Sequence, residues 1–67
     1  MEQKQLKELK KGEWFTLKPI EEPNESQVWV KDFYNREDKT YTCHCSGDVN
    51  RERFFKATKE VYVGFTF

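Results

Sequence analysis

The chain predicts a mainly β fold in one small domain, on three observations. First, the stretch Val61 to Phe67 alternates strictly, with Val61, Val63, Phe65 and Phe67 on one face and Tyr62, Gly64 and Thr66 on the other. That period of two marks a strand with one buried face. Second, Gln27–Tyr34 and Thr40–Cys45 are strand-like runs on either side of the polar Asn35-Arg36-Glu37-Asp38, which is the pattern of a β-hairpin. Third, 67 residues leave room for one core only, and aromatics make up 16% of the chain. A chain of this size buries roughly 60% of the surface its unfolded form exposes. Aromatic side chains, at roughly 150–250 Å² each, can supply that core where aliphatics are few.

Taken in order, Gln3 to Lys11 carries Leu6 and Leu9 at a spacing of three, followed by Gly12 as a stop signal. This allows about two helical turns, and a segment so short must dock its leucines or fray. Glu13 to Lys18 alternates, with Phe15 and Leu17 inward, and Pro19 ends regular pairing. Ile20 to Ser26 reads as a loop. In the hairpin, a four-residue loop pairs Tyr34 with Lys39, Val30 with Cys43 and Val28 with Cys45. Those small apolar residues make an inner face, and Trp29, Lys31, Phe33 and His44 then stand on the other. Ser46 to Asn50 is rich in turn residues, Arg51–Phe55 is a short strand, and Ala57–Glu60 turns into the final strand. The tally is five strands and one short N-terminal helical turn over residues 1–67. Five short strands leave edges to manage, and curling into a partly open barrel manages them. The expected architecture is therefore an SH3-like small barrel. An OB-type barrel is the second choice, and an open sheet covered by the N-terminal helix the third.

Twelve basic and twelve acidic residues cancel. Proteins that coat nucleic acid usually carry a basic excess, because phosphate contacts supply most non-specific affinity. No apolar stretch approaches the roughly 18–20 residues needed to cross a bilayer. The polar start Met1-Glu2-Gln3-Lys4-Gln5 lacks the apolar centre of a secretory signal, which makes the cytoplasm the expected location, away from membranes.

Cys43-His44-Cys45 is the sharpest local pattern. A structural zinc site needs four ligands, normally with two or more residues between paired cysteines. This chain has two Cys and one His in all, and alternation points His44 away from both cysteines. Residues two apart in a strand lie roughly 6.5–7 Å apart at Cα, at or beyond unstrained disulfide reach. The expectation is two reduced, buried cysteines and no metal. The same opposition keeps His44 from activating either thiol as a nucleophile. The acidic stretch Glu21-Glu22-Pro23-Asn24-Glu25 lacks the glycine turn of a calcium loop. No phosphate loop, zinc-protease helix or serine elbow is present. The chain predicts no enzymatic activity and no cofactor.

What remains is an aromatic-basic strip of Trp29, Lys31, Phe33, Arg36, Lys39 and His44, suited to stacking bases or gripping an extended peptide. The leading expectation is a binding module that recognises a partner protein or itself through this strip, with nucleic-acid binding as the alternative. Arg51 and Arg53, alternating with Glu52, read as solvated guards of a strand edge.

The pattern Leu6-x-x-Leu9, Gly12-Glu13-x-Phe15-Thr16-Leu17-Lys18-Pro19 and Ser26-Gln27-Val28-Trp29-Val30, with Tyr34-x-Arg36, Lys39-x-Tyr41-x-Cys43, Asp48-Val49-Asn50 and Glu60-Val61-Tyr62, resembles a set of short bacterial proteins of gut anaerobes and their mobile elements. That resemblance covers most of the chain and implies a compact intracellular bacterial domain. It brings no assigned activity and no catalytic residue.

Overall fold

A computed structural model of the protein describes all residues from Met1 to Phe67. In chain order its elements are β1 (Glu2–Gln5), a 3₁₀ turn (Leu6–Glu8), β2 (Trp14–Thr16), β3 (Val28–Asn35), β4 (Thr40–Cys45), β5 (Asp48–Lys56) and β6 (Glu60–Val63). The six strands form one antiparallel sheet in the order β1-β6-β2-β3-β4-β5. Strands β2 to β5 are a meander, and β6 returns to the free side of β2. Only Ala57, Thr58 and Lys59 join β5 to β6, which stand far apart in sheet order, so the sheet curls to bring them together. It does not close, and β1 and β5 are its edges.

The strand beyond the five expected is β1. Glu2-Gln3-Lys4-Gln5 has no apolar alternation; it is a strand because β6 offers it a partner, from Glu2↔Val63 to Gln5↔Glu60. The helical reading of Gln3–Lys11 shrinks to the single 3₁₀ turn. Gln5 and Leu9 flank it in extended conformation, and one turn already delivers both leucines to the core. The Leu6 and Lys7 amides donate to the Lys59 and Ala57 carbonyls, both at 2.9 Å, tying this turn to the β5–β6 connection.

The core fills the concave face: Leu6, Leu9, Phe15, Trp29, Cys43, Cys45, Val61 and Val63, with Leu17, Tyr41 and Phe55 packed against it. Phe55, on the β5 edge, meets Phe15 of β2 edge-to-face at 6.2 Å and Trp29 of β3 at 5.7 Å. A flat sheet would hold β2 and β5 about 14 Å apart, so these contacts measure the curl. Phe15 and Leu17 face inward, and both cysteines are buried, as alternation requires. On the opposite face, the cross-strand partners Thr16 and Val28 are fully buried.

Two further expectations fail. The final strand stops at Val63, because Gly64 adopts φ +83° and breaks the alternation. Phe65 and Phe67 therefore leave the core face; Phe67 is half exposed and packs edge-to-face on Trp14 at 5.0 Å, and Thr66 N–H donates to the Glu21 carbonyl. The hairpin register also differs, by two residues beside the loop and by one beyond the bulge. The loop is Arg36 to Lys39, closed by Asn35↔Thr40, with Lys39 left-handed at φ 56°. A bulge follows between Lys31 and Tyr34, and the pairs beyond it are Lys31↔Cys43, Val30↔His44 and Trp29↔Cys45. The slip moves Trp29 and Lys31 from the outer face to the core. Burying an indole against Phe55 removes far more apolar surface from water than burying valine there would.

The sheet also has a seam. β2 and β6 are joined at one residue pair, Thr16↔Tyr62, so the β1–β6 pair attaches to the meander mainly through side chains.

Candidate interaction surface

Lys31 and Tyr34 are three apart yet both face the concave side, since Lys31 pairs with buried Cys43 and Tyr34 pairs with Tyr41, their rings tilted at 49° with centroids 4.9 Å apart. A bulge makes this possible: its two residues, Asp32 and Phe33, share the convex face opposite Thr42. Asp32 accepts a hydrogen bond from His44 there, Oδ2 to Nδ1 at 2.6 Å, with both side chains about three-quarters covered. This contact holds the imidazole in place and leaves its other nitrogen outward. Phe33 points to solvent, 63% exposed, and Lys11 lays its ammonium over the ring at 4.1 Å from the centroid.

The register then sets Phe33 in a row with Thr42 and Phe54, since Thr42 pairs with Phe54, itself 67% exposed. The neighbouring row reads Trp14, Val30, His44 and Glu52 across β2 to β5, with Trp14 49% exposed. The convex face thus carries Trp14, Phe33 and Phe54 around the Asp32–His44 pair. Asn35 closes the row towards the hairpin tip, its amide donating to Thr42 Oγ1 at 2.9 Å.

The six residues of the expected strip do not form one surface. Phe33 and His44 belong to the convex face. Arg36 and Lys39 are exposed at the hairpin tip. Trp29, at 3% exposure, and Lys31, at 5%, are core residues, which corrects their expected exposure; the one-residue slip is the reason. Lys31 spends its ammonium inside the molecule, donating to the Leu9 carbonyl and sitting 4.0 Å over the Tyr41 ring. Burial pushes its pKa down, against the opposing pull of Cys43 and Glu13. Cys43, fully buried beside it, has its thiol pushed up from 9.0 to about 12, chiefly by burial. Such a thiol is inert at neutral pH. Arg51 and Arg53 stand at the mouth of the curl with their guanidinium carbons 5.3 and 5.7 Å from the Trp29 ring.

The convex residues that sequence reasoning passed over are Trp14 and Phe54. A signal existed for each: the alternation that sends Phe15 inward sends Trp14 outward, and Phe54-Phe55 in a strand cannot both face the core. No cluster of three or more metal-ligating side chains forms, and Cys43 and Cys45 face away from His44. No helix is long and apolar enough to cross a membrane. Comparisons with protein-family models, with curated proteins and with solved structures each find no match.

Proposed function

We propose that the chain is a non-enzymatic interaction module, an SH3-like, partly open barrel whose convex face grips a partner protein. The meander β2 to β5 with β6 returned beside β2, curled so that three residues bridge the opening, supports the barrel reading. The observation that carries the function is the convergence of Trp14, Phe33 and Phe54 on one face, each about half or more exposed. Exposed aromatics grouped on one face mark contact surfaces more often than scattered ones do. Lys11 and the outward nitrogen of His44 add polar anchors between the rings. Two unpaired cysteines suit a reducing cytoplasm, in keeping with the intracellular bacterial proteins the sequence resembles.

The test is affinity for a partner first identified by mass spectrometry and then purified. Phe33→Ala and Trp14→Ala should each weaken binding about tenfold or more while shifting the melting temperature by only a few degrees. Unchanged affinity in both variants would remove the convex face as the recognition surface. Nucleic-acid binding is the second reading, favoured by Arg51 and Arg53 at the mouth beside Trp29. Affinity falling steeply with added salt, and lost in Arg51→Ala/Arg53→Ala, would select it instead.

A further inference from the structure

Strand β5 is nine residues long, lies at the sheet edge and pairs only with β4. The Ala57 amide donates to the Lys39 carbonyl, towards β4. Amide directions alternate along an extended strand, and the register is unbroken from Thr40↔Lys56 to His44↔Glu52. The N–H and C=O groups of Glu52 and Phe54 and the N–H of Lys56 therefore point out at the free edge, while the Lys56 carbonyl accepts the Lys59 N–H at 2.9 Å in the turn. Their side chains all lie on the convex face, in phase with exposed Phe54.

We propose that this edge pairs with β5 of a second copy, antiparallel about a two-fold axis through Phe54. Charge selects both occupant and register. Centring the axis on Glu52 sets Glu52 opposite its own copy and Arg51 opposite Arg53. Centring it on Arg53 sets two arginines face to face. Centred on Phe54, Glu52 meets Lys56 of the second copy on both sides of the axis, Phe54 meets Phe54, and Arg53 meets Phe55. Of these three registers it alone has no like charges opposed, which would destabilise a strand pair. A fourth, centred on Phe55, opposes none either but sets Glu52 and Arg53 against Thr58 and Ala57 of the turn, so only the Phe54 register gains opposite-charge pairs. The 54–54 pair exchanges two backbone hydrogen bonds, and on either side of it the Lys56 N–H donates to the Glu52 carbonyl of the other copy. The two sheets then run on as one, with their convex faces side by side. The inference shares Phe54 with the partner-binding reading, and Trp14 and Phe33, which lie outside the paired strand, tell the two apart.

The test is sedimentation equilibrium of the full chain up to about 1 mM, the range in which a marginal interface is still visible. The wild type should form a dimer. Glu52→Lys or Lys56→Glu alone opposes like charges twice by symmetry and should weaken it about tenfold or more. The double swap Glu52→Lys/Lys56→Glu should restore the dimer. Phe54→Pro, which removes an outward N–H without costing a bond to β4, should abolish it, with circular dichroism checking that the monomer stays folded. A wild type that remains monomeric, or a double swap no stronger than the single ones, would overturn the proposal. Trp14→Ala/Phe33→Ala should leave the dimer intact, and a dimer lost in that variant would place self-association on the convex face instead.

Discussion

Trp29→Ala tests the fold and the corrected site together. The ring is 3% exposed, meets Phe55 edge-to-face at 5.7 Å and is covered by Arg51 and Arg53. Truncating a buried tryptophan to alanine costs about 3–5 kcal/mol. That range already includes most of the aromatic pair, worth about 0.5–1.5 kcal/mol beyond its area. Each arginine over the ring adds roughly 0.5–1 kcal/mol. A 67-residue domain has a stability of about 3–10 kcal/mol at typical values per residue. The substitution therefore removes a third of that at least and all of it at the low end. At about 4–8 °C per kcal/mol for domains of this size, a loss of about 3 kcal/mol lowers the melting temperature by roughly 12–24 °C. Thermal and urea unfolding followed by circular dichroism measure this, with Trp14→Ala as the control expected to move by only a few degrees. A Trp29→Ala protein that melts cooperatively within a few degrees of the parent would mean that the hairpin register described above is wrong.

Lys31→Met should change stability by no more than about 1.5 kcal/mol, since it trades a hydrogen bond for relief from burying a charge; Lys31→Ala should cost more by leaving a cavity, and denaturant midpoints separate the two. The Cys43 thiol keeps its proton in the folded chain up to about pH 12 but loses it near 9.0 when unfolded. Its contribution to stability is complete below pH 9 and falls as pH rises from there towards 12, by at most about 1.4 kcal/mol per pH unit. Lys31, with its folded pKa lowered, works the other way, raising stability between that pKa and 10.5. Cys43→Ala should therefore lessen the alkaline fall in urea-unfolding free energy, and a fall of undiminished slope in that variant contradicts the assignment. Gly64→Ala should cost about 1–2 kcal/mol, because φ +83° is strained for any L side chain although no atom lies closer than 3.6 Å to the added methyl; an unchanged melting temperature would argue against that turn.

Most strands were legible because their apolar residues alternate: Phe15 and Leu17, Cys43 and Cys45, Val61 and Val63. β1 was not legible, since Glu2-Gln3-Lys4-Gln5 becomes a strand only through its partner. The register was misread where local rules are silent. Lys39 takes a left-handed conformation that glycine or asparagine would have announced, and the bulge at Asp32-Phe33 carries no residue that marks a bulge. Alternation alone consequently puts Trp29 and Lys31 outside, where the structure has them in the core, and puts Phe33 and His44 on the face away from the core, where they stand. The end of β6 was misread for the opposite reason: Gly64 did signal a break, but Phe65 and Phe67 continued the alternation past it.

The single Thr16↔Tyr62 pair across the seam bears on how the native molecule opens locally. Amide exchange reports the free energy of opening each segment, and segments open as units where few backbone bonds cross their boundary. β4 is held by a ladder on both sides, so freeing all of its amides means parting both the β3–β4 and the β4–β5 ladders. β1 and β6 can lift away as a pair once Val61, Val63 and Leu6 leave the concave face, without breaking a rung of the meander. Deuterium uptake should accordingly divide the molecule in two, with amides of β1 and β6 exchanging by a cheaper opening than those of β4.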